Sequence, residues 1–225
     1  MKRDEIMGVF HRCDAIIEDS HIVYTSGRHG RAYVSKDTLY TYPGDTVILV
    51  EEMIRRIGIR CRTEPVGVIV APAVAGALLG FVLAYKFEEL NVQNGSFPRF
   101  AYVEKQSDGS MAFKRGYADV VLGLGKQNRP AWVAEDIVTT GGSVKKTVKA
   151  IEALGVEVAG VSALCNRGGV TAAELGVPVF EPLVDIQMDS WPEDECPMCA
   201  EGVKINTSVG HGAEYLARKA AEKST

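Results

Sequence analysis

Ala131-Trp-Val-Ala-Glu-Asp-Ile-Val-Thr-Thr-Gly-Gly-Ser143 joins an apolar run to two carboxylates and then to a turn of small and hydroxylated residues. Residues 131–134 read as a short buried strand. Residues 143–154 repeat apolar positions at helical spacing, so the turn is expected between a strand's carboxyl end and a helix's start. Such a turn attracts anions, because the N–H groups of the first helical turn are unpaired and lie at the positive end of the helix dipole. Gly141 and Gly142 allow the backbone to approach a phosphate without an intervening side chain, and Thr139, Thr140 and Ser143 add hydroxyl donors. Glu135 and Asp136 would repel a phosphate placed beside them; their expected partners are sugar hydroxyls or a magnesium-bound water. The whole stretch reads as a cradle for a ribose phosphate. No G-x-G-x-x-G follows a strand and no G-x-x-x-x-G-K-[ST] occurs, which argues against dinucleotides and ATP.

Working outward, residues 3–19 carry apolar positions at helical spacing. Residues 22–25 and 32–35 read as two short strands around Ser26-Gly-Arg-His-Gly30. Pro43 and Asp45 open a helix through about residue 57, and 66–71 is a β-branched run expected as a buried parallel strand that Pro72 ends. A helix over 75–90, a strand over 97–103, the strand and helix of the quoted stretch, a strand over 156–165, a weaker strand over 177–186 and a helix over 210–222 follow. Strand and helix alternating at this pitch imply an α/β fold, a parallel sheet with right-handed crossovers flanked by helices. The expected organisation is a single domain over 1–225, with an N-terminal cap at about 1–42, an α/β core at about 43–190 and a C-terminal segment at about 191–225.

At 225 residues, 46% hydrophobic and 24% charged, the composition is that of an ordinary globular chain. A formal net charge of −4 offers no broad basic surface for nucleic acid, and no apolar run approaches the ~20 residues needed to cross a bilayer. The opening Met-Lys-Arg-Asp-Glu does not read as a secretory signal. Five widely spread cysteines suit a reducing compartment better than a disulfide framework, so the cytoplasm is the expected location.

The stretch 131–143 resembles the 5-phosphoribosyl 1-diphosphate (PRPP) motif of type I phosphoribosyltransferases, and further segments narrow the resemblance toward orotate phosphoribosyltransferases. Tyr24-Thr-Ser-Gly-Arg-His-Gly-Arg-Ala-Tyr33 is similar to that family's Ser-Gly-Arg hairpin, which implies base contacts from Ser26, Arg28 and Tyr33. Ala71-Pro-Ala-Val-Ala-Gly76 matches the diphosphate loop, which implies leaving-group contacts at Ala73, Ala75 and Gly76. Asn166-Arg167 stands where the family has Asp-Arg, which implies that Arg167 reaches the orotate carboxylate through a bidentate contact. In the same way the resemblance implies a type I phosphoribosyltransferase fold with a small hood, PRPP and a nucleobase as partners, Mg2+ held through water by Glu135 and Asp136, and a homodimer. Catalytic roles fall to Asp136 and Lys105.

This chain also departs from the family pattern. Relatives carry a mobile loop rich in Arg, Lys and His between the strands matching 97–103 and 131–134. Here residues 104–117 hold Lys105 on a basic position, Glu104 in place of Arg and no His, with Lys114 and Arg115 as potential substitutes. Ala75 and Thr25 stand where some relatives have Lys. Cations at the leaving diphosphate supply much of the acceleration in such a reaction. Two alternatives therefore accompany the orotate reading: a PRPP- or nucleotide-binding regulator with lost catalysis, and a transferase for another base. Cys196-Pro-Met-Cys199 has the spacing of half a zinc site or of a redox pair. With His211 as the only histidine near it in sequence, a structural turn is the expected role.

Overall fold

The computed structural model describes residues 1–61, 65–90 and 97–222. Residues 223–225, the end of the expected C-terminal segment, lie outside them. In chain order the elements are α1 (Arg3–Arg12), β1 (Ile16–Ile17), β2 (Ile22–Val23), β3 (His29–Gly30), β4 (Tyr33–Val34), α2 (Lys36–Tyr40), α3 (Pro43–Arg60), β5 (Val68–Pro72), α4 (Ala75–Glu89), β6 (Arg99–Lys105), β7 (Met111–Phe113) and α5 (Tyr117–Gly125). They continue as β8 (Ala131–Val138), α6 (Gly142–Glu152), β9 (Val158–Asn166), α7 (Ala172–Leu175), β10 (Phe180–Asp185), β11 (Ser190–Trp191), α8 (Pro197–Ala200) and α9 (Gly212–Glu222). Two compact units result: Met1–Val9 with Tyr42–Ile186, and Phe10–Thr41 with Gln187–Thr225.

The first unit is built on a six-stranded sheet in the order β10-β9-β8-β5-β6-β7. All its pairings are parallel except β6 with β7. Every residue of β5 is buried, as expected of a strand covered on both faces. Val70, Val133 and Val161 join one apolar cluster with Val144, Val148 and Ile151 of α6. Trp132 is completely buried and donates its indole N–H to Ser162 Oγ at 3.0 Å, so its one polar atom is satisfied. A Cβ on Gly80 of α4 would stand 3.0 Å from Ala71 Cβ, which is why this helix can lie so close to β5.

The second unit holds a three-stranded sheet, β11-β3-β2, and a two-stranded sheet, β1-β4, each strand only two residues long. Ser35 caps α2 by accepting the amide of Thr38 at 3.3 Å. Ile22, Val23, Leu39 and Met198 are among its buried apolar residues.

The alternating α/β architecture agrees with the sequence reading, and several boundaries differ. Instead of continuing to residue 19, α1 stops at Arg12, and the chain turns at Asp14 with a positive φ of 49°. Around Ser26-Gly-Arg-His-Gly30 the two expected strands do not pair with each other: β2 pairs with β3 inside the expected turn, and β4 pairs with β1. β8 runs past residue 134 to Val138, because Ile137 and Val138 keep their register with Cys165 and Asn166 of β9. The acid pair is therefore inside the strand rather than beyond it. Finally, 104–117 is not an irregular loop: it finishes β6, forms β7 and begins α5, two elements that the sequence reading lacked.

Candidate functional site

Glu135 and Asp136 are both buried at the carboxyl end of β8. Glu135 Oε1 accepts the Asp136 amide at 3.1 Å, and Asp136 Oδ1 accepts the Ile137 amide at 2.6 Å, which fixes both carboxylates against the backbone. After the strand, Thr139 and Thr140 are exposed, as is Ser143. Gly141 precedes α6 at φ 71°, a left-handed conformation that glycine adopts without penalty, and it provides no side-chain cap. A Cβ there would also lie 2.5 Å from Leu175 Cδ2. Gly142 differs: its nearest neighbour would be Thr140 Oγ1 at 3.5 Å, so its lack of a side chain keeps open the space in front of the helix.

The turn after β5 meets this cradle. Ala73 donates its amide to Val103 O at 2.8 Å, the Ala73–Val74 peptide is cis, and α4 begins at Ala75 without a side-chain cap. A Cβ on Gly76 would stand 3.0 Å from Glu135 Oε1. The expected diphosphate turn and the acid pair are thus in direct proximity. Because β5 lies between β8 and β6, the winding of the sheet reverses here, the position where open α/β sheets bind ligands.

Arg167 follows β9 and is half-buried. Its amide donates to Val138 O at 2.8 Å, and Gly168 donates to the same carbonyl at 3.3 Å. A Cβ on Gly168 would fall 1.6 Å from Thr139 O, so only glycine permits the segment to press against the cradle. Asn166 organises the turn beyond: its Nδ2 donates to Asp185 Oδ1 at 2.8 Å and to Val170 O at 3.0 Å, and its Oδ1 accepts the Val170 amide at 3.1 Å. Burial pushes the neighbouring Cys165 thiol up to about 12, despite the opposing influence of Arg167, so this thiol is no nucleophile at neutral pH.

The stretch that carries Lys105 is a hairpin whose register pairs Val103 with Phe113, Glu104 with Ala112 and Lys105 with Met111. At its tip Asp108 Oδ1 accepts the Ser110 hydroxyl at 2.7 Å and the Ser110 amide at 2.9 Å, and these bonds hold the Asp108 carboxyl below its ordinary range. Lys146 of α6 donates its ammonium to Gly109 O, tying the tip to the helix that follows the cradle. Arg115 Nε meets Glu104 Oε1 at 3.3 Å, so one substitute cation is engaged within the hairpin; Lys105 and Lys114 are exposed.

The expected base contacts fall in different units. Arg167 stands beside the cradle in the first; Ser26, Arg28 and Tyr33 belong to the second. There Gly27 turns the chain at φ 77°, and Arg28 donates through Nε to Ser190 Oγ at 3.0 Å and through Nη2 to Ser190 O. Tyr33 lies on β4 opposite Ile17. Sequence reasoning missed Gly168 and the Lys146 tether. The Gly168-Gly169 pair after a strand was the available signal for the former, whereas nothing in the sequence around Lys146 points to its contact with Gly109 O.

The chain matches no protein-family model. It is 31% identical to the orotate phosphoribosyltransferase of Thermus thermophilus, over 89% of this chain and 98% of that protein. It is 29% identical to that of Caldanaerobacter subterraneus, over 91% and 96%. Among solved structures, the orotate phosphoribosyltransferase of Mycobacterium tuberculosis H37Rv in complex with PRPP has the same fold. Its TM-score is 0.55 at 17% identity, and the match covers 81% of this chain and 95% of that one. With the turns after β5, β8 and β9 brought together at the carboxyl ends of adjacent strands, and with 31% identity running through nearly the full length of both chains, this protein belongs to the orotate phosphoribosyltransferase family.

Proposed function

We propose that this chain transfers the 5-phosphoribosyl group of PRPP to orotate, giving orotidine 5′-monophosphate and diphosphate, a step of pyrimidine nucleotide synthesis. The observation that carries the reading is the convergence of three turns, after β5, β8 and β9, at adjacent carboxyl ends of parallel strands. In this reading Thr139, Thr140, Gly141, Gly142 and Ser143 hold the 5-phosphate, Glu135 and Asp136 accept from the ribose hydroxyls, and Ala73, Ala75 and Gly76 hold the diphosphate by their backbone. The C1–O bond to diphosphate breaks, the diphosphate leaving with the bonding pair, while a ring nitrogen of the base bonds to C1 from the opposite face and its N–H proton is lost. The sugar passes through an oxocarbenium-like state that Asp136 stabilises through the hydroxyls, and Lys105 neutralises charge on the leaving group.

Two buried carboxylates offer the hard oxygen donors that magnesium takes, so the residues fit an ion held through water by Glu135 and Asp136. Bound there, magnesium would offset charge on the diphosphate. Exposed Val74, Leu78, Phe81 and Tyr85 lie three and four residues apart at and along α4, an apolar stripe suited to burial against a second copy in a homodimer. No helix among the described residues is long and apolar enough to cross a membrane. The free thiols suit the reducing cytoplasm.

The engagement of Arg115 by Glu104 favours a second reading, a PRPP-binding regulator without turnover. Incubation with PRPP, magnesium and orotate separates the two: orotidine 5′-monophosphate and diphosphate in equal amounts support the transferase, and tight PRPP binding without product selects the regulator.

A further inference from the structure

In the second unit, two segments far apart in sequence bring four metal-ligating side chains together. His21, His29, Cys196 and Cys199 place one ligand atom each so that all four lie within 4.8 Å of one another, and three of the four residues are buried. The spacings are 2.9 Å from His21 Nε2 to His29 Nδ1, 3.3 Å from His29 Nδ1 to Cys199 Sγ, 3.6 Å from His21 Nε2 to Cys196 Sγ and 3.7 Å from His21 Nε2 to Cys199 Sγ. A tetrahedral zinc ion, with bonds of about 2.3 Å to sulfur and about 2.0 Å to nitrogen, sets its N···S edges near ~3.6 Å and its N···N edge near ~3.3 Å. These three N···S separations lie within about 0.3 Å of that geometry, and the two nitrogens need part by only a few tenths of an ångström.

The surroundings orient His21. His21 Nδ1 stands 2.8 Å from Val203 O. A carbonyl can only accept, so Nδ1 carries the proton and Nε2 presents its lone pair to the centre of the cluster, the second-sphere arrangement usual for a metal-bound imidazole. The Tyr215 ring packs edge-on against His29 at 5.1 Å. Both thiols are free. Two thiolates and two imidazoles around a closed centre select zinc over hard cations such as magnesium or calcium, and with all four positions filled by protein the site is structural rather than catalytic.

We infer that His21, His29, Cys196 and Cys199 form a Cys2His2 zinc site that clamps the C-terminal segment to the N-terminal strands. Such a clamp suits the unit. Its strands are two residues long, and it joins two stretches of chain separated by residues 42–186, so a metal link between them closes a long loop. The sequence reading expected a structural turn at Cys196–Cys199 because both histidines of the cluster lie more than 160 residues away in the chain.

Metal analysis of the full chain, purified reduced and without added metal, tests the site. About one zinc per chain is expected, falling to near zero in the Cys196→Ser, Cys199→Ser double variant. Cobalt(II) replacing zinc in the parent chain should show the d–d bands of a tetrahedral centre and thiolate-to-cobalt charge transfer, a readout that stands even if the double variant fails to fold. Failure of the reduced parent to take up stoichiometric zinc or cobalt, zinc retained in full by a folded double variant, or an octahedral cobalt spectrum without thiolate charge transfer would overturn the assignment.

Discussion

Gly76, in the first turn of α4 after β5, and Glu135 of β8 stand so close that a methyl group on the glycine would lie 3.0 Å from the carboxylate oxygen and 3.2 Å from Pro72 Cδ. The turn proposed to hold diphosphate and the acid proposed to hold ribose therefore share one wall. Gly76→Ala should push the buried Glu135 carboxylate or the turn aside at a cost on the order of 1–3 kcal/mol, as overpacking does. Calorimetry should show PRPP affinity falling by about tenfold or more, since each ~1.4 kcal/mol is a factor of ten. Parent-like affinity would separate the two halves of the proposed site.

Asp136→Asn and Gly142→Val probe the cradle in complementary ways. The first keeps the shape of a buried side chain and removes its charge; the second adds bulk where the nearest neighbour of a Cβ is 3.5 Å away, so the fold has room for it and a phosphate would not. Both should keep a cooperative melting transition and lose PRPP affinity. Unchanged binding in both, measured by calorimetry with magnesium, would remove the cradle from the account.

Much of this site was legible in the chain because its signals are local. Residues 131–143 contain strand, acids, glycines and helix start within one span, and the β-branched run of β5 announces a buried strand. What escaped depended on contacts between distant residues. The continuation of β8 through Val138 comes from pairing with β9, the 104–117 hairpin is anchored at its tip by Lys146, and the Cys2His2 cluster assembles across the chain. Gly141 and Gly142 were read as phosphate-approach residues; for Gly141, packing against Leu175 is an equal constraint, and Gly168, which the sequence reading did not single out, is held to glycine by Thr139 O.

Lys105→Ala tests the hairpin's role in turnover. The side chain is exposed at the end of β6, paired across the ladder with Met111, so its loss should barely alter stability. With orotate as the acceptor, kcat should fall by about tenfold or more with little change in the PRPP dissociation constant, as expected of a cation acting on developing charge. Equal turnover of variant and parent would assign leaving-group stabilisation elsewhere.

Acid stability should depend on Glu52. Its side chain is 3% exposed, and burial would raise its pKa, but hydrogen bonds from Arg55, the Met1 amino group and Arg56 outweigh burial and hold it at about 2, against 4.5 ordinarily. A carboxyl depressed on folding stabilises fully above its unfolded pKa and loses that contribution as pH falls toward the folded one. Melting temperature should therefore drop between about pH 4.5 and pH 2. Glu52→Gln should be less stable at neutral pH and show a shallower drop through that window; a parallel pH dependence in both proteins would count against the network.

Diphosphate release from PRPP and magnesium with orotate, uracil or hypoxanthine as acceptor, in the parent and in Arg167→Lys, decides whether Arg167 selects orotate. A bidentate charge-assisted contact contributes roughly 1.5–3 kcal/mol, so the parent should prefer orotate over uracil by about tenfold or more. Lysine keeps the charge and loses the fork, so the variant should lose activity toward orotate more than toward either neutral base. Preference of the parent for a neutral base, or an orotate preference untouched in Arg167→Lys, would contradict the account.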